Sequence, residues 1–266
     1  MTTPPITLKA SKRVDLALCP LDPLTMEEAL FEIAILRHSS EYHYVVTPNI
    51  DHLQRLYLNP DDAFLREIYR NASLSLCDSR VLKILTPIFG VSMPAAVPGS
   101  TLTKQIFDQL LKPEDRILII GGENAVIEIL SEQYPHLNIE HINPTMGFIH
   151  RPVEVEEIIS ATREMDPDYL FIAVGSPQQE ILASRIGQVA RRGVALCVGA
   201  SLLFLTGKES RAPEWVQAAS CEWLYRMIKN PRRLAKRYAM NLIHLPGILH
   251  ALRAKVVADA GVGVDV

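Results

Sequence analysis

Cysteine is scarce in this 266-residue chain, and the four present, Cys19, Cys77, Cys197 and Cys221, show no C-x-x-C spacing. That excludes a disulfide miniprotein and a cysteine zinc site, and favours buried free thiols in a reducing compartment. The histidines form no H-x-x-x-H pair, so no dedicated metal site is expected. G-x-G-x-x-G is missing too, which removes the dinucleotide fingerprint and with it a nicotinamide-dependent oxidoreductase. No window of about 18 uncharged apolar residues occurs, and the N-terminus carries no signal-type apolar stretch. Neither a membrane span nor export by that route is therefore expected. Charge of one sign is also lacking overall: the formal net charge is −3, which argues against a nucleic-acid binder.

What is present is an ordinary globular composition, long enough to bury one large α/β core with a small appendage. Short apolar runs rich in β-branched and aromatic residues predict buried strands at Tyr42–Val46, Ser73–Cys77, Arg116–Ile120, Asn138–Ile142, Tyr169–Val174 and Val194–Val198. Segments of helical period lie between most of them, at Asp61–Arg70, Ala125–Tyr134, Glu154–Met165 and Gln179–Arg191, with a further helix from about Thr101. Strand alternating with helix at this spacing predicts a Rossmann-like, largely parallel sheet covered on both faces.

Ligands of such sheets bind beyond the carboxyl ends of the strands. The first strand runs into Thr47-Pro48-Asn49, the second into Asp78-Ser79-Arg80 and the third into Gly121-Gly122. The penultimate strand runs into Gly175-Ser176-Pro177-Gln178-Gln179-Glu180. Asp78 fits a general base beside a substrate hydroxyl, and equally an N-cap for the next helix. The glycine turns at Gly121-Gly122 and Gly175 let a phosphate approach backbone N–H groups, although glycine also simply makes tight turns. Without the dinucleotide fingerprint they favour a mononucleotide or sugar nucleotide. Asp166-Pro167-Asp168 formally matches a metal-binding D-x-D, but it precedes its strand and reads as a helix-to-strand turn at the opposite end of the sheet.

The bland net charge hides a segregated one. From Trp223 to Ala258 there are eight Lys or Arg (Arg226, Lys229, Arg232, Arg233, Lys236, Arg237, Arg253 and Lys255) and no Asp or Glu, which leaves −11 for the rest. A helix ending near Lys229 is followed by Asn230-Pro231, an N-cap with a first-turn proline for a second helix. Interleaved with Trp223, Leu224, Tyr225, Met227 and Ile228, these cations suit anionic lipid headgroups or a diphosphate better than nucleic acid. The chain divides into an α/β catalytic core over 1–210 and a helical C-terminal appendage over 211–266, and removal of the appendage is expected to leave the core folded.

The string of motifs resembles the WecG/TagA/CpsF glycosyltransferases, glycosyltransferase family 26. The matching pieces are TPN (Thr47–Asn49), the aspartate of CDS (Asp78), VPGSTL (Val97–Leu102), IIGGENA (Ile119–Ala125), GSPQQE (Gly175–Glu180), GKESRAPEW (Gly207–Trp215, with Arg211) and CEWLYRMIKNPRRLAKRY (Cys221–Tyr238). They stand in the family's order over about 40–240. The resemblance implies a metal-independent, inverting transfer from a UDP-sugar to a polyprenyl-diphosphate-linked saccharide, in bacterial polysaccharide or cell-envelope glycan assembly, on the cytoplasmic face of the plasma membrane. It places the catalytic base on Asp78 and substrate contacts on Thr47, Asn49, Gly175, Pro177, Gln179 and Glu180. It places diphosphate-binding cations on Arg226 and Arg233, with Lys236 at a third arginine position and Arg237 beside it. It also implies homo-oligomers and an appendage that closes over the site and docks on the membrane. The chain departs from the family at Ser79-Arg80, Ala96, Thr101 and Leu202-Leu203. Arg80 is the expected charge replacement for the arginine missing at Ala96 and points to a donor other than the N-acetylmannosamine nucleotide. A non-catalytic sugar-nucleotide sensor on the same fold is the alternative, and Asp78 tells the two apart because a pure binder need not keep it.

Overall fold

The computed structural model describes residues 13–210, 212–213, 216 and 222–261. A short antiparallel ribbon, β1 (Val14–Asp15) and β2 (Pro20–Leu21), precedes α1 (Met26–Arg37). The α1 start is fixed by a capping box in which Glu28 N–H donates to Thr25 Oγ1 and Thr25 N–H to Glu28. There follow β3 (Tyr42–Val46), α2 (Ile50–Leu58), α3 (Ala63–Asn71), β4 (Leu74–Ser75), α4 (Arg80–Leu85) with a 3₁₀ turn at Thr86–Phe89, α5 (Gly99–Gln109), β5 (Ile117–Ile120) and α6 (Asn124–Gln133). The chain continues through β6 (Ile139–Ile142), α7 (Pro152–Met165), β7 (Tyr169–Ile172), α8 (Gln178–Ile186), β8 (Gly193–Cys197) and α9 (Ser201–Leu205), then α10 (Glu222–Lys229) and α11 (Pro231–Gly261).

All six strands expected from the apolar runs form one sheet, in the order β4-β3-β8-β7-β5-β6, with every neighbouring pair parallel. β5, β7 and β8 are buried at every position, which is why they read as unbroken apolar runs. Alternate side chains serve two layers. Leu118, Ile120, Leu170, Ile172, Ala195 and Cys197 meet α2, α3, α7 and α8 on one face. Ile117, Ile119, Tyr169, Phe171, Val194 and Leu196 meet α1, α5 and α6 on the other.

β4 is shorter than the Ser73–Cys77 run, because beyond Ser75 the sheet edge is shared with the N-terminal segment. Asp22 N–H donates to Ser75 O at 2.8 Å, and Ser75 N–H donates back to the Asp22 carboxylate at 2.7 Å. That contact covers the edge strand's free side. α8 stops at Ile186, short of Arg191, with Gly187 as its C-cap. α5 begins at Gly99 and not Thr101, directly after Pro98. α11 starts with Pro231, as Asn230-Pro231 predicts, and Leu234 N–H donates to Asn230 O at 3.0 Å. It lies along α2 and sends Ile248 and Leu252, both fully buried, into the same cluster as α2 and α3. This part of the appendage is therefore built into the core.

Candidate active site

β5 leads outward to β6, whereas its neighbour β7 leads back towards β8, so a crevice opens at the carboxyl ends of these strands. The β3 and β4 ends lie on one side of it, and their loops are stitched together. Asp78 N–H donates to Pro48 O at 3.1 Å, and Val97 N–H donates to Cys77 O at 2.8 Å. These bonds hold Asp78 between the Thr47–Asn49 loop and the start of α5. The N-cap alternative for Asp78 falls to its neighbour: Ser79 Oγ accepts from Leu82 N–H at 3.0 Å and caps α4. Asp78 is only partly buried.

Three side chains converge on Gly99, the first residue of α5. A Cβ there would stand 3.1 Å from Thr47 Oγ1, 3.6 Å from Ser201 Oγ and 3.8 Å from Asp78 Oδ2. Glycine thus makes room for the Thr47 hydroxyl, whereas Ser201 and Asp78 stand at ordinary contact distance. No side chain among the described residues caps α5, so the positive end of its dipole faces this group. Ser201 donates to Val198 O at 2.6 Å and belongs to the Gly199-Ala200-Ser201 turn after the last strand, a strand end that suits a pocket by sequence. Its place among the site residues was missed because only the fold brings it to Thr47.

Across the end of β8, the Thr47–Asn49 and Gly175–Glu180 loops are joined by a residue the sequence reading also missed. Asn49 caps α2, its Oδ1 accepting from Asp51 N–H at 3.0 Å, and His52 completes the box. His52 Nδ1 lies 2.8 Å from Asn49 Oδ1 and 3.1 Å from Asn49 N, and its Nε2 is 3.6 Å from Glu180 Oε1. Glu180 is 1% exposed and accepts from Gln179 Nε2 at 2.9 Å. Burial pushes its pKa up, but His52, Gln179 and Ser176 pull harder the other way, so it lies below the ordinary glutamate value. Gln179 Oε1 is buried without a hydrogen-bond partner among the described residues and lies 3.5 Å from where a Cβ on Gly199 would be. Arg55 on α2 donates to Ser176 Oγ at 2.8 Å and to Ser176 O at 3.3 Å, anchoring the loop that carries Gly175 and the cis-Pro177. The only sequence signal for His52 was its place three residues after Asn49, the second position of a capping box.

The glycine pair divides its duties. Gly121 has φ +91°, its Cβ would stand 2.7 Å from Val174 Cγ1, and its N–H donates to Ile142 O at 2.8 Å. Its need is steric, and its donor is already committed. Gly122, at φ +86°, is partly buried, and a Cβ there would meet only Leu202, at 3.8 Å, among the described residues. Gly175 also has positive φ, with open space around it. Arg80 is the first residue of α4, two residues after Asp78 and partly buried.

The appendage cations are distributed unevenly. Arg237 is ion-paired with Asp51 in the first turn of α2, beside the Asn49 cap, whereas Lys236 is exposed on α11. Arg211 and the side chains of Arg226 and Arg233 lie outside the described residues. Asp166-Pro167-Asp168 is the turn it was read to be. Asp166 ends α7 in the left-handed conformation, and Asp168, 4% exposed, pairs with Arg192 at 2.8 Å and with Arg37 at 3.6 Å. A cavity of about 300 Å³ next to it, lined by Arg163, Arg191 and Arg192 among others, is at the amino edge of the sheet, opposite the crevice.

Two curated bacterial proteins, each an N-acetylglucosaminyldiphosphoundecaprenol N-acetyl-beta-D-mannosaminyltransferase, are similar to this chain. The one from Bacillus subtilis (strain 168) is 24% identical over 226 residues, covering 74% of this chain and 86% of that protein. The one from Staphylococcus aureus (strain MW2) is 24% identical over 230 residues, covering 84% and 87%. The model of the glycosyl transferase WecG/TagA/CpsF family matches residues 14–259, from β1 into α11. The chain therefore belongs to the WecG/TagA/CpsF family of glycosyl transferases.

Proposed function

We propose that the protein transfers a sugar from a UDP-sugar to a polyprenyl-diphosphate-linked saccharide with inversion at the anomeric carbon, Asp78 acting as general base. The observation that carries this reading is the cluster of Asp78, Thr47 and Ser201 around Gly99 at the start of α5, which has no side-chain cap among the described residues. The two named relatives act on a diphosphoundecaprenol-linked acceptor, which supports a lipid-linked acceptor here. In the proposed step the acceptor hydroxyl oxygen bonds to the anomeric carbon as the bond from that carbon to the UDP oxygen breaks. The hydroxyl proton passes to Asp78, and the electron pair leaves with UDP.

Helix N-termini and appendage cations would carry the charge that develops on the leaving diphosphate, without a metal ion. α5 and α8 begin beyond the carboxyl ends of the strands, and Arg80 begins α4 after β4. Arg211, Arg226, Arg233 and Lys236 are the appendage candidates, with Arg237 next to them. The exposed cations of α11 suit an anionic membrane surface on the cytoplasmic side, where such an acceptor would be met.

The deciding experiment incubates the full chain with a panel of UDP-sugars and a short-chain lipid-diphosphate acceptor in the presence of a chelator, beside Asp78→Asn. Turnover of one donor, reduced about 10²–10⁴-fold in the variant, is the expected result. No turnover of any donor, or an undiminished variant, would sink the mechanism.

A further inference from the structure

We propose that His52 is a positioning residue that sets the orientation of both site amides, Asn49 and Gln179, through one chain of contacts across the end of β8. The inference rests on the UDP-sugar reading above. Its ground is the accounting of donors and acceptors. Asn49 Oδ1 is turned towards protein groups, since it accepts from Asp51 N–H, while His52 Nδ1 accepts from Asn49 N–H and so holds the cap through its backbone. With the oxygen turned to the start of α2, the carboxamide presents its two N–H donors on the other side, and these match sugar or phosphate oxygens. On the other side, Glu180 Oε1 accepts from Gln179 Nε2. Reversing that amide would set oxygen against carboxylate oxygen, so the Gln179 oxygen must point away. That oxygen is the buried acceptor near Gly199, unpartnered among the described residues, and it lacks a donor that a ligand would supply.

One imidazole ties the two ends together. Its Nε2 faces the Glu180 carboxylate and its Nδ1 faces Asn49, while the ring edge packs on Tyr69 with centroids 6.2 Å apart at 81°. A glutamate, the usual capping-box partner at this position, would put a second carboxylate against the fully buried Glu180. Histidine closes the box and pairs with that carboxylate at once. The His52 side chain is 12% exposed, so the link is mostly screened from water.

The test measures binding of UDP and of UDP-sugars to the full chain by calorimetry, and donor KM and kcat, for His52→Ala, Asn49→Ala and the double variant, with melting recorded for each. His52→Ala should weaken UDP-sugar binding and raise donor KM about tenfold, the scale of a hydrogen bond to a charged or oriented group, with kcat within about threefold. In the Asn49→Ala background the same change should cost about threefold, because part of its effect runs through Asn49 and the rest through Glu180 and Gln179. His52→Gln, which keeps a donor towards Glu180, should recover part of the loss, and it carries the same cycle should His52→Ala not fold. Fully additive losses, or a fall in kcat at unchanged KM, would overturn the positioning role. Wild-type protein that binds no UDP-sugar would instead overturn the donor reading on which it stands.

Discussion

Glu180 is a carboxylate at 1% exposure whose pKa is nevertheless below the ordinary glutamate value, so its surroundings favour the charge more than burial opposes it. The consequence for stability has a definite sign. With the folded value below the unfolded value of about 4.3, the unfolded chain binds the extra proton as the pH falls. The stabilisation is complete above that unfolded value and is lost as pH drops through the folded one. Glu180→Gln should therefore flatten the acid limb of the melting temperature below about pH 4.3. At neutral pH it should cost about 1.5–3 kcal/mol, the scale of hydrogen bonds to a charged group. Thermal melts of both proteins between pH 3 and 7 check this, and parallel acid limbs would show that other carboxylates carry the effect. Ser79 makes the complementary point: its hydroxyl, not the Asp78 carboxylate before it, is the N-cap of α4.

At the scale of elements, α11 is tied to α2 at several levels. Asp51 pairs with Arg237 and accepts from Asn241 Nδ2, Gln54 Nε2 stands 2.8 Å from His244 Nδ1, and Gly247 leaves room for Tyr57. Ile248 and Leu252 continue the contact into the core. α2 begins at Asn49, so the last helix braces the helix that presents part of the candidate site. Ile248→Ala should destabilise the whole chain by about 2–5 kcal/mol, whereas Arg237→Ala, which removes a half-exposed pair, should cost about 1 kcal/mol or less. Denaturant unfolding of the two variants measures both. If Ile248→Ala left the transition in place, the appendage would be the separable piece that its composition suggests. The same elements show what the sequence discloses. The six strands were legible because buried parallel strands leave unbroken apolar runs, and the loops after them followed from topology. α1 was not foreseen, since Phe31 and Ile35 on its outer side are exposed and blur any one-faced pattern. The grip of α11 on α2 and the His52 link depend on residues far apart in the chain meeting, and no local spacing encodes that.

For the whole molecule, the −3 net charge is the sum of a basic C-terminal stretch and a remainder at −11. Among the described residues no helix is long and apolar enough to cross a membrane, yet the outer surface of the last two helices is neither plainly polar nor plainly buried. Arg232, Lys236, Met240 and Ile243 recur at three- and four-residue spacing along α11, all of them exposed. Leu242 and, on α10, Ile228 add apolar side chains at about 70% exposure. A cation-and-apolar stripe of this kind gains from anionic headgroups and from the acyl boundary together. The opposite charge of the rest of the chain disfavours the wrong face. Sedimentation with vesicles containing an anionic phospholipid should therefore show binding that fades at high salt, and neutral vesicles should bind much less. Replacing Arg232 and Lys236 together by glutamine removes two charges worth about 1 kcal/mol each near such a surface, which corresponds to a roughly 30-fold lower partition coefficient. Leu242→Ser with Ile243→Ser should lower binding to the same vesicles without changing its salt dependence, which separates the two contributions. Equal binding to neutral and anionic vesicles would remove the electrostatic half of this account, and unchanged binding by the serine variant would remove the apolar half.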